Sequence, residues 1–414
     1  MNENYRDSNI PWLNEIPADW RIIRGKNILT LLNREVKESD DVITCYRDGE
    51  VTLRKKRREA GYTISLKETG YQGIEVGDLV VHGMDGFAGA IGISDSRGKG
   101  TPVLNVMDSD QDKTFLMYYL RALAYKDVFM SLSTGIRIRS CDLSWNKLAN
   151  LPFVIPPIEV QKAIGDFLYE RVGELETIIS EATETISYYK ELRTALIYEC
   201  TSVGLNADVG YKDTGFEWIG QIPIHWDIRK IKYLCDFKAG VGHENSWDYV
   251  GKYIIVNSRF VSTGGDAKKY TDEAMSLLNV GDICIVLSDL PNGRALSRCY
   301  YIDEYDKYTL NQRVGAFYNY KMNGRYLMYA MDRNKGLLRY DDGINQTNLK
   351  YSEVLNCFVT VPPMDEQVKI AEYLDNKCEQ IDMMIREKEE LIEQLGEYKK
   401  SLVYEVVTGK RKVV

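Results

Sequence analysis

The sequence predicts an α+β protein: two tandem-repeated mixed α/β domains, each followed by a long helix, the two helices pairing as an antiparallel coiled coil with pseudo-two-fold symmetry. Three observations lead there. A pair of short motifs recurs at one fixed offset, the stretch between them reads as short strands broken by turns, and a long segment of heptad spacing free of proline follows each copy.

The lead-in comes first. Trp12-Leu13-Asn14-Glu15-Ile16-Pro17-Ala18-Asp19-Trp20 returns as Trp218-Ile219-Gly220-Gln221-Ile222-Pro223-Ile224-His225-Trp226, an offset of 206. Pro156-Pro157-Ile158-Glu159-Val160-Gln161 returns as Pro362-Pro363-Met364-Asp365-Glu366-Gln367 at the same offset. Two anchors so far apart with one offset mean that a whole unit is duplicated. Between them, Val76-Gly77-Asp78 and Val280-Gly281-Asp282 each place a turn before an apolar strand, here at an offset of 204, so insertions and deletions lie inside the preserved frame.

After each proline pair the heptad seam begins. Leu168, Val172, Leu175, Ile179, Ala182, Ile186, Tyr189 and Leu196 keep the four–three spacing, broken at Arg193. Their counterparts are Leu374, Cys378, Ile381, Ile385, Lys388, Ile392, Leu395 and Leu402, with Lys399 at the break. A rod of roughly 65 Å, at 1.5 Å per residue, cannot bury such a stripe against a small domain and needs another long helix: the other rod of this chain is the economical partner, a different protein or a second copy of this chain the alternative. The expected division is a first domain over 1–157, its helix and linker over 158–206, a second domain over 207–363 and its helix over 364–414.

Composition narrows the function. The chain has 414 residues, 44% hydrophobic and 28% charged, which fits folded domains and not a disordered chain. No apolar run suits a membrane span, and the polar start MNENYRDSNIPW lacks a secretory core. The eight cysteines form no CxxC pair and the three histidines are dispersed, so no metal site is expected and the thiols are read as reduced and cytosolic. No GxxxxGK[ST], [DN]PP[YF], GxSxG or HExxH motif occurs, so no catalytic residue is assigned.

A formal net charge of −8 argues against a polyanion partner only if it is evenly spread. It is not. Residues 12–157 carry a net +1 and 218–363 a net +2, whereas 158–206 carry −5 and 364–414 carry −3. The acid lies mostly on the helices and the middle domains are free to meet phosphate. Candidate contacts there are the run Arg54, Lys55, Lys56, Arg57 and Arg58, which reads equally as a solvated loop, and Ser133, Thr134, Arg137 and Arg139 on an extended segment. Asn345, Gln346, Thr347 and Asn348 hold the matching place in the second copy. Arg suits the guanine edge, and Asn and Gln the adenine edge. His82 and Met84, with Ser288, Asn292 and Arg294, follow the two Gly-Asp strands, and Arg259 completes the set.

The repeated Trp…Ile-Pro…Trp lead-in, the proline pairs, and Gln161 and Gln367 opening the helices resemble the specificity (S) subunits of type I restriction–modification enzymes, over nearly the whole chain. The resemblance implies two target-recognition domains reading the halves of a split site in double-stranded DNA, and a coiled coil fixing the gap between them. Its seam is represented by Leu168, Val172, Leu175, Ile179, Ile186, Leu374, Ile381, Ile385, Ile392 and Leu395. It also implies two methyltransferase (M) subunits and, in the full complex, restriction (R) subunits, which would carry S-adenosylmethionine, ATP and Mg; this chain would hold no cofactor, act in a bacterial or archaeal cytoplasm and meet no membrane. The competing expectation is a coiled-coil scaffold or adaptor whose repeated domains bind proteins.

Overall fold

In the computed structural model the described residues are 5–57, 68–132, 143–206, 208–243, 247–290, 294–305 and 307–413. The chain forms two compact units: residues 1–184 with 388–414, and residues 185–387. Each takes the start of one long helix and the end of the other.

The first unit is built on a four-stranded antiparallel sheet in the order Thr30–Leu31, Leu104–Asp108, Leu79–His82, Ile91–Ile93. The second unit repeats it with Asp236–Ala239, Val314–Tyr318, Ile283–Val286 and Cys299–Tyr301. The third strand in each order, Leu79–His82 or Ile283–Val286, is the apolar run after a Gly-Asp turn. In both, the Asp is buried and holds a cation at an offset of 204: Arg34 Nη2 donates to Asp78 Oδ1 at 3.0 Å, and Lys238 Nζ to Asp282 Oδ2 at 2.8 Å. The duplication is therefore one of strand order, beyond the two anchor motifs. The second unit also has a three-stranded sheet in which Tyr253–Val256 runs parallel to Tyr308–Leu310.

Each proline pair feeds a strand end into a helix. Pro152–Ile155 pairs with Arg21–Arg24, and Phe358–Val361 with Asp227–Lys230, before helices Ile158–Ser202 and Met364–Val407 begin. The repeated glutamine explains itself here. Gln161 Nε2 donates to the Pro156 carbonyl at 2.8 Å, and its Oε1 accepts from the Asp112 N–H at 3.0 Å. Gln367 does the same with the Pro362 carbonyl, 2.8 Å, and the Asn323 N–H, 2.8 Å. Asp112 and Asn323 are N-caps, of helices Lys113–Tyr125 and Gly324–Met331. One amide thus ties the long helix to the helix that lies on the sheet.

The lead-in tryptophans meet the helix ends. In the second unit Trp226 covers Gly204 (φ +84°), just past helix Ile158–Ser202; in the first, Trp20 and Pro17 cover Gly409 (φ +75°), just past helix Met364–Val407. A side chain at either glycine would strain the left-handed backbone and strike a ring. The Tyr5 hydroxyl donates to the Gly409 carbonyl at 2.9 Å, so the first lead-in packs on the end of the chain as the second packs on the end of the first helix. The apolar core of the first unit joins Ile10, Leu13, Ile16 and Trp20 to Leu402, Val403, Val406 and Val407; that of the second joins Ile222 and Trp226 to Ile197, Cys200, Ile370 and Leu374.

The seam residues are buried or partly buried throughout. The two breaks are ion pairs between helices: Lys399 Nζ lies 3.3 Å from Glu176 in the first unit, and Arg193 Nε 3.2 Å from Asp382 in the second. Cations and acids are each related by the offset of 206. Among the described residues no helix is long and apolar enough to cross a membrane.

Substituting Gln367→Ala strands the Asn323 N–H and the Pro362 carbonyl and should destabilise the second unit by ~1–3 kcal/mol. Hydrogen exchange would be faster over 323–331 and unchanged over 113–125.

Candidate nucleic-acid interface

The candidates of the second unit that lie among the described residues converge at one end of its sheet. Beyond strand Ile283–Val286 the chain continues into Ser288–Asp289, which pairs antiparallel with Thr347–Asn348 in the register Ser288↔Asn348 and Asp289↔Thr347. The Leu349 N–H donates to the Leu287 carbonyl at 2.8 Å, docking the later segment onto the end of the central strand. Two loops distant in sequence thereby form one edge. Ser258 Oγ reaches the Ser288 carbonyl at 3.5 Å, which brings helix Ser258–Ser262 and the exposed Arg259 alongside.

The side chains divide by role. Ser288 and Thr347 are buried and hold the edge together: Ser288 Oγ accepts from Gln346 Nε2 at 2.9 Å, and Thr347 Oγ1 donates to Asp341 Oδ1 at 3.0 Å. Gln346, Asn348, Asn345 and Arg294 are exposed. Gln346 gives one N–H to Ser288, keeping the other N–H and its carbonyl for a donor–acceptor pair such as the adenine edge presents. Asn345 is steadied by Asp342, to which its side-chain amide donates at 3.0 Å.

The carboxylates that shape this edge escaped the sequence reading. Asp342 Oδ1 accepts from the N–H groups of Ile344, 2.9 Å, and Asn345, 2.8 Å; Asp341 Oδ1 accepts from the Gly343 N–H at 3.0 Å. Asp289 accepts from the N–H groups of Leu290, Ala295 and Leu296 at 2.8, 2.7 and 3.2 Å. Asp-Asp-Gly and Ser-Asp before a Pro-Asn-Gly were the available signals, since Asp turns the chain by bonding N–H groups just ahead of it. The backbone and side-chain donors of Asn345, then the Ile344 N–H, hold the Asp342 carboxyl down at about 2.

The first unit repeats the docking. The Leu143 N–H donates to the Gly83 carbonyl at 2.8 Å, the counterpart of Leu349 on Leu287. His82 Nδ1 accepts from the N–H groups of Met84 and Asp85 at 3.2 and 3.0 Å, so a neutral ring carries its proton on Nε2; burial holds its pKa below the ordinary value. Met84 is exposed. Ser133, Thr134, Arg137 and Arg139 lie outside the described residues, as do Arg58 and Asn292.

The basic run differs from its sequence reading as a loop: Arg54–Arg57 is a helical turn. Its cations face acids brought from elsewhere. Lys55 pairs with Asp41, Lys56 with Asp95 at 3.1 Å, and Arg57 with Asp48 and with Glu50 at 2.9 Å, while Arg54 Nε donates to Thr44 Oγ1 at 3.2 Å. The patch is close to neutral. Exposed pairs of this kind are worth ~0–1 kcal/mol each, so a phosphate can replace the acid.

In this tandem α+β chain a leucine from a later segment, Leu143 or Leu349, docks at the same place on each sheet. Residues 223–394 match the type I restriction modification DNA specificity domain. The chain is 23% identical to the type I restriction enzyme MjaVIII specificity subunit of Methanocaldococcus jannaschii, over 99% of this chain and 97% of that one. It is 20% identical to the putative MjaX specificity subunit of the same organism, over the same shares. In fold it matches a chain from a type I R-M system solved for its complex assembly and conformational transition: TM-score 0.70 at 13% identity, covering 96% of this chain and 99% of that one. The chain is thus related to the specificity subunits of type I restriction–modification enzymes, as the repeated motifs indicated.

Because the folded Asp342 carboxyl titrates below its ordinary value of 3.8, its hold on the turn is complete above that value and is lost as pH falls through about 2. The Ile344 and Asn345 amides should exchange slowly down to about pH 4 and lose protection below it, and Asp342→Ala should abolish that protection at neutral pH. Amide exchange read by NMR checks both.

Proposed function

We propose that this chain is the DNA sequence-specificity subunit of a type I restriction–modification complex. Its two target-recognition domains, over 1–157 and 207–363, would each read half of a bipartite site, with 158–206 and 364–414 pairing as an antiparallel coiled coil of pseudo-two-fold symmetry. The observation that carries this reading is the docking of Leu143 on Gly83 and Leu349 on Leu287: one scaffold, the same attachment, and unlike side chains beyond it. Constant frames with different tips suit two sequences read by one body. The coiled-coil arrangement is supported by the ion pairs Lys399–Glu176 and Arg193–Asp382, which share the repeat offset and favour one register.

In this reading the chain catalyses nothing by itself. It docks two methyltransferase subunits and, through the assembly, restriction subunits; S-adenosylmethionine, ATP and Mg sit on those partners, in the cytoplasm of a bacterium or archaeon. Loops of the two sheets contact base edges, and Lys and Arg contacts to phosphate set position.

The test is selection from a random duplex pool by the chain with its methyltransferase partner, followed by mapping of methylated bases. Two unlike half-sites at one fixed gap are expected; enrichment of no sequence leaves a protein-binding scaffold instead. Gln346→Ala should relax one position of one half-site by ~1–3 kcal/mol while leaving the salt slope unchanged, whereas Lys55→Ala and Lys56→Ala should weaken binding evenly and lower that slope. Inserting one heptad in both helices adds ~10.5 Å and should lengthen the gap by about three base pairs. An unchanged gap would overturn the spacer role.

A further inference from the structure

Two aliphatic side chains of the second unit stand in solvent at the candidate edge: Leu290 is 68% exposed and Ile344 78%. Lone exposed aliphatics are common on protein surfaces. These two share one end of the same ladder. Asp289 pairs with Thr347, so the chain leaves the ladder through Leu290 on one strand and arrives through Ile344, Asn345 and Gln346 on the other.

Neither is loose. The Leu290 N–H is held by Asp289 Oδ1 while Asp289 Oδ2 closes the loop on Ala295 and Leu296. The Ile344 N–H is held by Asp342, in a turn that Asp341 ties to Thr347. The core of this unit uses neither side chain. Fixing a large apolar group in water gains nothing for folding. It does preorganise that group for a partner. The first unit has a parallel: Met84, 51% exposed, has its N–H held by His82 Nδ1.

We propose that Leu290 and Ile344 read thymine, taking its C5-methyl group in the major groove of the half-site bound by the second unit, beside Gln346 on a neighbouring adenine. The inference rests on the DNA-reading function proposed above. Among the major-groove features of the four bases, the thymine methyl is the apolar one, and an aliphatic side chain discriminates there by covering it. The neighbours agree with that groove. Gln346 and Asn348 offer donor–acceptor pairs that suit adenine's major-groove edge, whereas an apolar wedge between base steps belongs to minor-groove binding and kinks the duplex.

The test uses the full complex with its methyltransferase partner and duplexes in which deoxyuridine replaces thymine one position at a time, so that only the methyl is removed. For the wild type, uracil at one or two positions of the second unit's half-site should weaken binding about fourfold each, the worth of one buried methyl. Ile344→Ala or Leu290→Ala should bind thymine and uracil duplexes equally at the matching position, with the salt slope unchanged. Retained selectivity with no uracil effect in that half-site overturns the inference, as does a half-site without thymine, a variant that keeps the thymine preference, or a uracil effect that comes with a kinked duplex. Absence of any sequence-selective binding would instead overturn the DNA-reading function itself.

Discussion

The architecture depends on burying two apolar seams, each too long for one small domain to cover. A helix of 45 residues carries far more apolar stripe than a four-stranded sheet can shield. The solution in both units is shared: the start of one helix and the end of the other enter the same core. Gln161 and Gln367 fix the starts and the glycines at 204 and 409 allow the tryptophans to close over the ends. Each sheet is then held at two places by elements that are distant in sequence. The exposed side chains at the end of the second sheet, Gln346 and Asn348 among them, carry no part of this burden.

That separation explains why the scaffold was legible and the interface was not. The seam, the proline pairs and the lead-in tryptophans act through local spacing, which a sequence displays directly. Strand order in the middle regions was half legible: the Gly-Asp turns marked the central strands, yet the cations that pair with Asp78 and Asp282 lie over forty residues upstream. The heptad breaks at Arg193 and Lys399 looked like flaws because their acids, Asp382 and Glu176, sit on the other helix. The run Arg54–Arg57 looked like a free cationic surface for the same reason. Asp41, Asp48, Glu50 and Asp95 converge on it only in the fold.

At the edge of the second unit the difficulty was one of role. Ser288, Gln346, Thr347 and Asn348 all looked able to contact a base, and hydrogen-bonding capacity alone could not separate them. Alternation sets Thr347 apart, because alternate residues of a ladder face opposite ways, and burial sets Ser288 apart from Asn348, its partner on the same face. The buried Thr347 donates to Asp341 and the buried Ser288 accepts from the amide of Gln346, while Gln346 and Asn348 are exposed. A polar residue that supports the edge and one that stands exposed on it differ by one position in the chain.

The charge distribution follows from the same division. Phosphate attraction is long-ranged and indifferent to sequence, so a reader that relied on it would bind everywhere. In the proposed DNA-reading function, a net charge near zero on each middle region, with the acid placed on the helices, would limit that background. Selectivity would then have to come from short-range contacts, and these require rigid tips. Asp289, Asp341 and Asp342 supply the rigidity by bonding backbone N–H groups, which uses the carboxylates as turn formers and partly offsets their repulsion toward phosphate. Acidic residues at the candidate edge are therefore compatible with the proposed reading of DNA, provided that their oxygens are occupied by the loop they hold.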